Sequence, residues 1–221
     1  MNGTLQSGKR AAVAALLLFA AHAPFAAAQD DGPVARPTVK PGDLWAYRRI
    51  DLESGRSMAA FDVRVNFANE SIIQSVVIAS SGRVEVDQTH TAEWNSIATW
   101  DGGNFVPNSG LLKFPLAVGA SYVAMFENTI PRRGAFRVKH ERKMRVVGWE
   151  DVTVPAGTFR ALKIVGEGTY QRLDVSASGT VHNVIWYAPQ VKRWVKTTYE
   201  DRNFGGRGNW TSDELVEYKV Q

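Results

Sequence analysis

Few side chains in this sequence are of the types that usually perform chemistry. Cysteine is absent, and the three histidines that follow residue 28 are His90, His140 and His182. Each lies in a different segment, so a metal site or a nucleophile–base pair would require the fold to bring distant segments together. The chain has no Gly-x-Ser-x-Gly elbow and no glycine-rich phosphate loop. We predict no catalytic residues, no metal site and no cofactor, and we leave open a hydrolase site assembled only in three dimensions.

The segment Val154-Pro-Ala-Gly-Thr-Phe159 is either a catalytic loop or a corner between two strands. Pro155 has the fixed φ that suits the first corner position of a turn, and Gly157 can adopt the positive φ of a following bulge. Thr158 is the one candidate nucleophile in this segment, and no base lies near it in the sequence. The segment is therefore predicted to be a corner.

One strong cluster of charge is present. Seven basic residues lie between positions 132 and 145, against the single acidic residue Glu141. Strand alternation places Val138, His140 and Met144 on one face and four basic residues on the other, Arg137, Lys139, Lys143 and Arg145. Two interpretations compete: a cationic stripe that attracts an anionic surface or ligand, and a solvated face that keeps an edge strand from pairing. The rest of the chain offsets nearly all of this charge, which favours the solvated face.

The sequence contains seven tryptophans, a high number for its length. Most fall in predicted strands, where packing explains them. Trp100 precedes Asp101-Gly102-Gly103 and Trp210 ends a glycine-rich stretch, so both are predicted to lie in exposed loops. We identify Trp100 and Trp210 as candidate ligand-binding residues, either as a platform for sugars or as the lining of an apolar pocket.

The elements that must position these residues are short strands. Segment 61–67 is the clearest, because apolar residues alternate with polar ones throughout it. The same pattern recurs at 44–50, 72–78, 83–90, 121–126, 135–147, 159–170, 180–187, 193–200 and 214–220. About ten strands with short connections predict an all-β antiparallel fold, a barrel or clam-like half-barrel, with a two-sheet β-sandwich as the alternative.

The N-terminus predicts export. Lys9 and Arg10 precede the apolar run 11–21, and three alanines at 26–28 follow, which is the arrangement of a secretory signal peptide. The run is far shorter than the roughly 20 residues that a membrane-spanning helix needs. We predict a signal peptide at 1–28, a Pro-containing leader at 29–41 and a single antiparallel β domain at 42–221. The mature chain is expected to be periplasmic or extracellular, with no transmembrane segment.

Charge and cysteine content restrict the possible partners and the source of stability. Removal of residues 1–28 takes two of the 26 basic residues and none of the 22 acidic ones, which leaves a net charge of +2. This small excess gives no case for nucleic acid as a partner. The lack of cysteine in an exported chain means that burial of apolar surface, rather than disulfides, must stabilise it.

Several short motifs together resemble a known group of proteins. They are Trp45-x-Tyr47 with Asp51 and Gly55, Phe114-Pro-Leu-x-Val-Gly119, Val154 to Phe159, and Trp186-Tyr-Ala-Pro189 ahead of Val195-Lys196. The combination resembles uncharacterised exported proteins of proteobacteria that are grouped as domains of unknown function. The resemblance implies an envelope compartment and a barrel or clam-like β architecture, similar to the periplasmic lipoprotein carriers, and no catalytic residues. The chain departs from the pattern at Lys192, where a glycine is expected.

These observations lead to three hypotheses of function. The first is an exported, non-catalytic β protein that binds an apolar or amphiphilic, lipid-like ligand, or an envelope component. The second is a glycan-binding module that uses exposed aromatic residues and the cationic stripe. The third and most remote is the hydrolase whose site assembles only in three dimensions. The sequence leaves the oligomeric state open.

Overall fold

Antiparallel strands account for nearly all of the fold. The computed structural model describes residues 31–80, 84–130, 136–203 and 205–221; the predicted signal peptide and two members of the basic cluster, Arg132 and Arg133, lie outside them. The strands in the described residues are β1 Leu44–Asp51, β2 Ser57–Ala68, β3 Ile72–Ala79, β4 Val84–Thr91, β5 Ser96–Ala98, β6 Asn104–Val106, β7 Ser121–Ile130, β8 Phe136–Val154, β9 Gly157–Arg172, β10 Ser178–Ala188, β11 Arg193–Asn203 and β12 Gly206–Lys219.

Each strand pairs with its neighbours in the sequence, and β1 also pairs with β12, so that the twelve strands close into a barrel. The prediction of an all-β antiparallel barrel is confirmed, and neither the half-barrel nor the two-sheet sandwich is formed. Closure leaves no long unpaired edge, which is the liability of an open sheet. No helix in the described part of the chain has the length and apolar character needed to span a membrane.

The sequence pattern did not predict β5 and β6. Each has three residues, which is too few to show a two-residue period. They are joined by a single pair of residues, Ala98 and Asn104, and β5 pairs with β4 at only two positions. This section, between β4 and β7, is the thinnest part of the described barrel wall.

Alternation along the strands divides the side chains between the interior and the solvent. In β8 the residues Val138, Met144 and Val146 are buried, whereas Lys139 and Lys143 between them are exposed. The same alternation in other strands supplies one common interior. Half of that interior is packed with apolar side chains, of which the largest that are fully buried include Trp45, Tyr47, Tyr187, Leu116, Met144, Leu162, Ile164 and Leu215.

The connection from β6 to β7 is part of this core rather than a surface loop. Leu112 and Leu116 in it are buried. The amide Nδ2 of Asn95 donates a hydrogen bond to the Leu112 carbonyl at 2.8 Å, and the Leu112 N–H donates to Asn95 Oδ1 at 2.8 Å. A buried side-chain amide that makes both bonds replaces the backbone partner that an irregular segment lacks.

The described part of the predicted leader lies against the barrel. Val34 forms an isolated β-bridge with Leu116. The indole N–H of Trp149 donates to the carbonyl of Asp31 at 3.0 Å, and Arg160 pairs with the Asp31 carboxylate at 2.7 Å. These contacts hold residues 31–34 on the outside of the β8–β9 hairpin and on the packed half of the core.

The segment from Val154 to Phe159 is a corner, as its residue types predict. Strand β8 ends at Val154 and β9 begins at Gly157, which has a φ of 128°. The hydroxyls of Thr153 and Thr158 lie 2.9 Å apart across the hairpin, so Thr158 forms a hydrogen bond within the corner. The nucleophile interpretation of Thr158 gains no support from this arrangement.

The departure at Lys192 does not abolish the turn that precedes β11. Lys192 adopts a left-handed φ of 60°, a conformation that glycine adopts with little strain. Its Nζ donates to the buried carboxylate of Asp43 at 3.3 Å and to the backbone carbonyl of Gln221. These bonds offset the strain of a side chain at that φ, and they tie the turn to both ends of the barrel domain.

We predict that Gly157→Ala lowers the free energy of unfolding by about 1–2 kcal/mol, because an L side chain is strained at this positive φ. Urea denaturation measures the change. The matched control is Thr158→Ala, which removes one exposed hydroxyl and should change stability by less than about 0.5 kcal/mol. Equal effects of the two substitutions would show that the φ of Gly157 does not constrain the corner.

Candidate functional site

The half of the barrel interior that is not packed contains a cavity with two adjoining lobes. Lobe 1 has a volume of about 590 Å³ and lobe 2 about 470 Å³. Both values fall in the range of roughly 300–1,000 Å³ that is typical of small-molecule sites. Five residues line both lobes, which places the lobes side by side: Arg49, Met58, Ser96, Trp194 and Asp213.

Lobe 2 is mainly apolar. Its lining includes Phe61, Val63 and Val77 from β2 and β3, together with the indole of Trp100. Trp100 lies two residues after the end of β5 and is 38% exposed, so its ring lies between the cavity and solvent. Aromatic and aliphatic walls of this kind bind apolar groups, because contact removes apolar surface from water.

An ion pair marks the junction of the two lobes. Arg49 on β1 donates from Nε and Nη2 to the two carboxylate oxygens of Asp213 on β12, at 2.6 and 2.7 Å. This bidentate pairing raises the pKa of Arg49 above its ordinary value. The charge of Arg49 is therefore compensated within the protein.

A second arginine at the cavity, Arg142 on β8, has no such counter-charge. Its Nη1 donates to Asn183 Oδ1 at 3.3 Å, and its Nη2 lies 3.4 Å from Nδ1 of His140. The rings of Phe126 and Tyr199 lie 5.3 and 5.8 Å from its guanidinium carbon. No carboxylate among the described residues pairs with it, so all of its close partners are neutral groups. Burial lowers the pKa of Arg142, yet a guanidinium remains charged in proteins.

His140 is neutral in this arrangement and extends it to β7. Its Nε2 lies 3.0 Å from Asn128 Oδ1, so an N–H on Nε2 leaves Nδ1 as an acceptor for Arg142. Burial, and then the nearby charge of Arg142, lower the pKa of His140 to about 3. The imidazole ring also stacks on Phe126, with ring centroids 4.6 Å apart.

A third arginine, Arg193 at the start of β11, is surrounded by aromatic rings. Its guanidinium carbon lies 4.2 Å from the ring centre of Trp194 and 4.5 Å from that of Trp94, with Trp45 and Tyr47 each at 5.4 Å. Cation–π attraction of this kind partly replaces lost hydration. Arg193 lines lobe 2 and connects that lobe to the packed core.

Several buried polar atoms around the cavity have no hydrogen-bond partner among the described residues. They are Arg142 Nε, Asn183 Nδ2, Arg193 Nε and Nη1, and His90 Nδ1. The arginine and amide nitrogens in this set are donors only. The cavity therefore has more hydrogen-bond donors than the protein's own acceptors satisfy. A ligand with acceptor oxygens would supply the missing partners.

Of the two tryptophans predicted to bind ligand, only Trp100 lines the cavity. Trp100 lines lobe 2. Trp210 lies within β12 rather than in a loop, which corrects the prediction, because the β11–β12 hairpin turns earlier, between Asn203 and Gly206. The cavity is lined on this strand by Thr211 and Asp213, so Trp210 is on the opposite face. Its ring is covered by Arg207 at 4.2 Å.

The four residues of the predicted cationic stripe lie on the outer face of β8. Arg137, Lys139, Lys143 and Arg145 are all exposed. Arg137 forms an ion pair with Glu127 on the neighbouring strand. The strand is not an edge strand, because β7 and β9 pair with it on its two sides. Protection of an edge, which the solvated-face interpretation assumed, is therefore not its role.

The three histidines have different surroundings. His90 is buried against the ring of Trp94 and lines lobe 2, and burial lowers its pKa to about 3. His140 bonds to the groups around Arg142. His182 is exposed on β10, 4.0 Å from a carboxylate oxygen of Glu167. Among the described residues no group of three His, Asp or Glu side chains is arranged to hold a metal ion.

Sequence reasoning missed Arg142, Asn183 and Arg193. For Arg142 a signal was present, because the alternation that turns His140 and Met144 inward also turns Arg142 inward. A charged residue at an inward position of a strand is unusual and marks a candidate site. Arg193 gives no comparable signal, since it is one of several basic and polar residues in its segment, and Asn183 follows another polar residue, His182.

We predict that acidification lowers the stability of the wild type more than that of His140→Gln. The pKa of His140 is about 3 in the folded protein against an ordinary 6.5, so only the unfolded chain takes up this proton as the pH falls from 6.5 towards 3. The free energy of unfolding of the wild type, relative to the variant, should fall by about 2–3 kcal/mol between pH 7.5 and 4.5. Urea denaturation at the two pH values measures it.

His90 is present in both proteins, so its own low pKa cancels in this comparison. Parallel loss of stability in the two proteins would mean that His140 accepts a proton in the folded state as readily as in the unfolded chain.

Comparison with known proteins identifies other structures with a similar fold and gives no information on function. No protein-family model matches the chain, and no curated protein matches it. A solved structure described as a lipoprotein from Parabacteroides distasonis has a TM-score of 0.53 and 16% sequence identity, and the match covers 86% of this chain and 100% of that one. An exported protein with a YmcC-like fold from Bacteroides fragilis has a TM-score of 0.52 and 15% identity, covering 85% of this chain and 99% of that one.

Identities this low show a shared architecture. The resemblance to exported β proteins that the motifs predict is therefore confirmed for the fold, while membership of a type defined by the Val154–Phe159 and Trp186–Pro189 motifs stays a prediction. The chain has the barrel fold of these two exported or lipoprotein-type structures.

Proposed function

We propose that this chain is an exported, non-enzymatic binding protein that holds an amphiphilic ligand inside its barrel. The observation that carries the proposal is the two-lobed cavity, in which the mainly apolar lobe 2 adjoins lobe 1 and unpaired donors lie on Arg142 and Asn183 in lobe 1 and on Arg193 in lobe 2. An apolar wall and a polar end match the two parts of an amphiphile. The proposal keeps the predicted organisation of signal peptide 1–28, leader 29–41 and β domain 42–221.

The export signal and the shared fold support an envelope location. Lys9, Arg10 and the apolar run after them have the form of a secretory signal. The two solved structures with this fold are described as a lipoprotein and as an exported protein. A periplasmic or secreted protein of this kind would encounter lipid-like molecules as ligands.

The shape of the barrel also supports an internal ligand. One half of the interior is packed by large apolar side chains, which provides the stability that a cysteine-free chain requires. The other half remains hollow although the twelve strands close around it. Barrels larger than those whose interior is filled by side chains enclose ligand cavities or channels in other proteins.

The outer stripe on β8 agrees with the same proposal. Its exposed lysines and arginines give this face of the barrel a positive potential, which favours approach to an anionic envelope surface. Attraction of this type is weakened by salt and acts on the rate of encounter more than on affinity. We therefore propose that the stripe acts in delivery of the protein and the cavity in ligand binding.

The glycan-binding alternative has less support. A sugar platform needs an open aromatic face, and the ring of Trp210 is covered by the guanidinium of Arg207. Trp100 is partly exposed, yet it lines a lobe whose walls are mainly apolar. Retention of the protein on peptidoglycan or acidic polysaccharide would favour this alternative over the amphiphile.

We predict that Trp100→Ala weakens binding of a neutral apolar probe, N-phenyl-1-naphthylamine, whereas Trp210→Ala does not. Loss of the indole from lobe 2 removes about 1 kcal/mol of apolar contact, which corresponds to about a fivefold rise in Kd. Probe fluorescence titrated against the mature protein measures the Kd. The two variants make the same change, one at the cavity and one on the opposite face of a strand.

An absence of probe binding to the wild type would overturn the proposal. Equal weakening in both variants would place the ligand away from the cavity, and it would restore Trp210 as a binding residue.

A further inference from the structure

We infer that the ligand of this barrel carries an anionic head group, a carboxylate or a phosphate monoester, which Arg142 and Asn183 bind in lobe 1. The inference rests on the proposed function and adds the chemical class of the ligand. It comes from the charge, the unpaired atoms and the space around Arg142.

The charge of Arg142 is the first argument. Its side chain is buried, with 6% of the residue exposed, and its close partners Asn183, His140 and two aromatic rings are neutral. A buried cation is costly unless an opposite charge accompanies it. An anion in lobe 1, which Arg142 lines, would supply the charge that the described part of the protein does not.

The unpaired atoms are the second argument. Arg142 Nε and Asn183 Nδ2 are buried without a partner, and both belong to residues that line lobe 1. Asn183 is itself only 4% exposed. Both atoms are donors, so the missing partner is an acceptor. The two or three oxygens of a carboxylate or phosphate match a guanidinium fork with a neighbouring amide, and such charge-assisted bonds are among the strongest in proteins.

The other two cavity arginines are compensated differently. Arg49 has the bidentate pair with Asp213. Arg193 also has two unpaired donors, Nε and Nη1. Its charge, however, is enclosed by four aromatic rings that lie 4.2 to 5.4 Å from its guanidinium carbon, and the charge of Asp213 acts on it. Arg142 has only two rings, both more than 5 Å away, and no acid. Of these three, Arg142 is the cation best placed to bind an external anion.

The space beside this pair is maintained by a glycine. Gly166 on β9 lies between Met144 and Asn183 in the sheet register. A Cβ at this position would lie 2.5 Å from Asn183 Oδ1 and 2.7 Å from Met144 Sδ, too close for either to keep its place. The absence of a side chain therefore lets Asn183 lie against Arg142 with its amide nitrogen unpaired.

A displacement experiment on the mature protein tests the inference. N-phenyl-1-naphthylamine reports occupancy of the cavity, and the competitors are dodecanoate, dodecyl phosphate and 1-dodecanol, which share one chain and differ in the head group. Wild-type protein should release the probe at about tenfold lower concentration of one or both anions than of the alcohol. The carboxylate and phosphate arms identify which anion is preferred.

Arg142→Gln should remove this preference, raising the concentration of anion needed by about tenfold or more while the alcohol changes by less than about twofold. Arg142→Lys keeps the charge without the fork and should retain part of the preference. Arg64→Gln makes the same charge change on the outer face of β2 and should behave as the wild type. Circular dichroism checks that each variant is folded.

The outcomes separate the inference from the proposed function. If alcohol and anions displace the probe equally in the wild type, or if folded Arg142→Gln keeps the anion preference, the inference is wrong and the binding cavity stands. If the wild type does not bind the probe at all, the proposed function fails first. Should Arg142→Gln not fold, Asn183→Ala takes its place. It removes one donor and should cause a smaller loss of the same preference, and an unchanged preference would overturn the inference.

Discussion

The pairing of the first strand with the last is the constraint on which this structure depends. Residues of β1 from Leu44 to Asp51 pair with residues of β12 from Lys219 to Thr211, and this ladder turns a meander into a ring. In a closed ring every second side chain is directed at one shared interior. The chain has no cysteine, so the burial that this closure creates must provide most of its stability.

The shared interior has a packed part and a hollow part, and charged groups lie around the hollow part. Large apolar side chains fill one half, whereas the other half is hollow and bordered by Arg49, Arg142 and Arg193. Apolar residues of similar volume would cost less free energy at these positions. Buried charged residues that lower stability are concentrated at functional sites, and the three arginines border this cavity.

The sequence predicted the class of fold because the evidence for it is local. Alternation in segment 61–67 and along β8 identifies strands, and it contained the inward direction of Arg142, which the prediction overlooked. Arg142 is unusual because of its neighbours, which are distant from it in the sequence. Asn183 is 41 residues away, and the space beside Asn183 depends on Gly166 from a third strand. The register between strands determines such contacts, and the pairing of distant strands could not be predicted from this one sequence. The same limit misplaced Trp210, since the start of β12 is set by its pairing with β11.

The thin section of the wall has a consequence for exchange of material with the outside. β5 and β6 are joined at one residue position, Ala98 with Asn104, and Trp100 lies between them at the rim of lobe 2. Where so few backbone bonds hold a wall, local opening costs far less than global unfolding. If the cavity holds a ligand as proposed, we expect local opening of this section, rather than unfolding of the barrel, to limit how fast the ligand leaves.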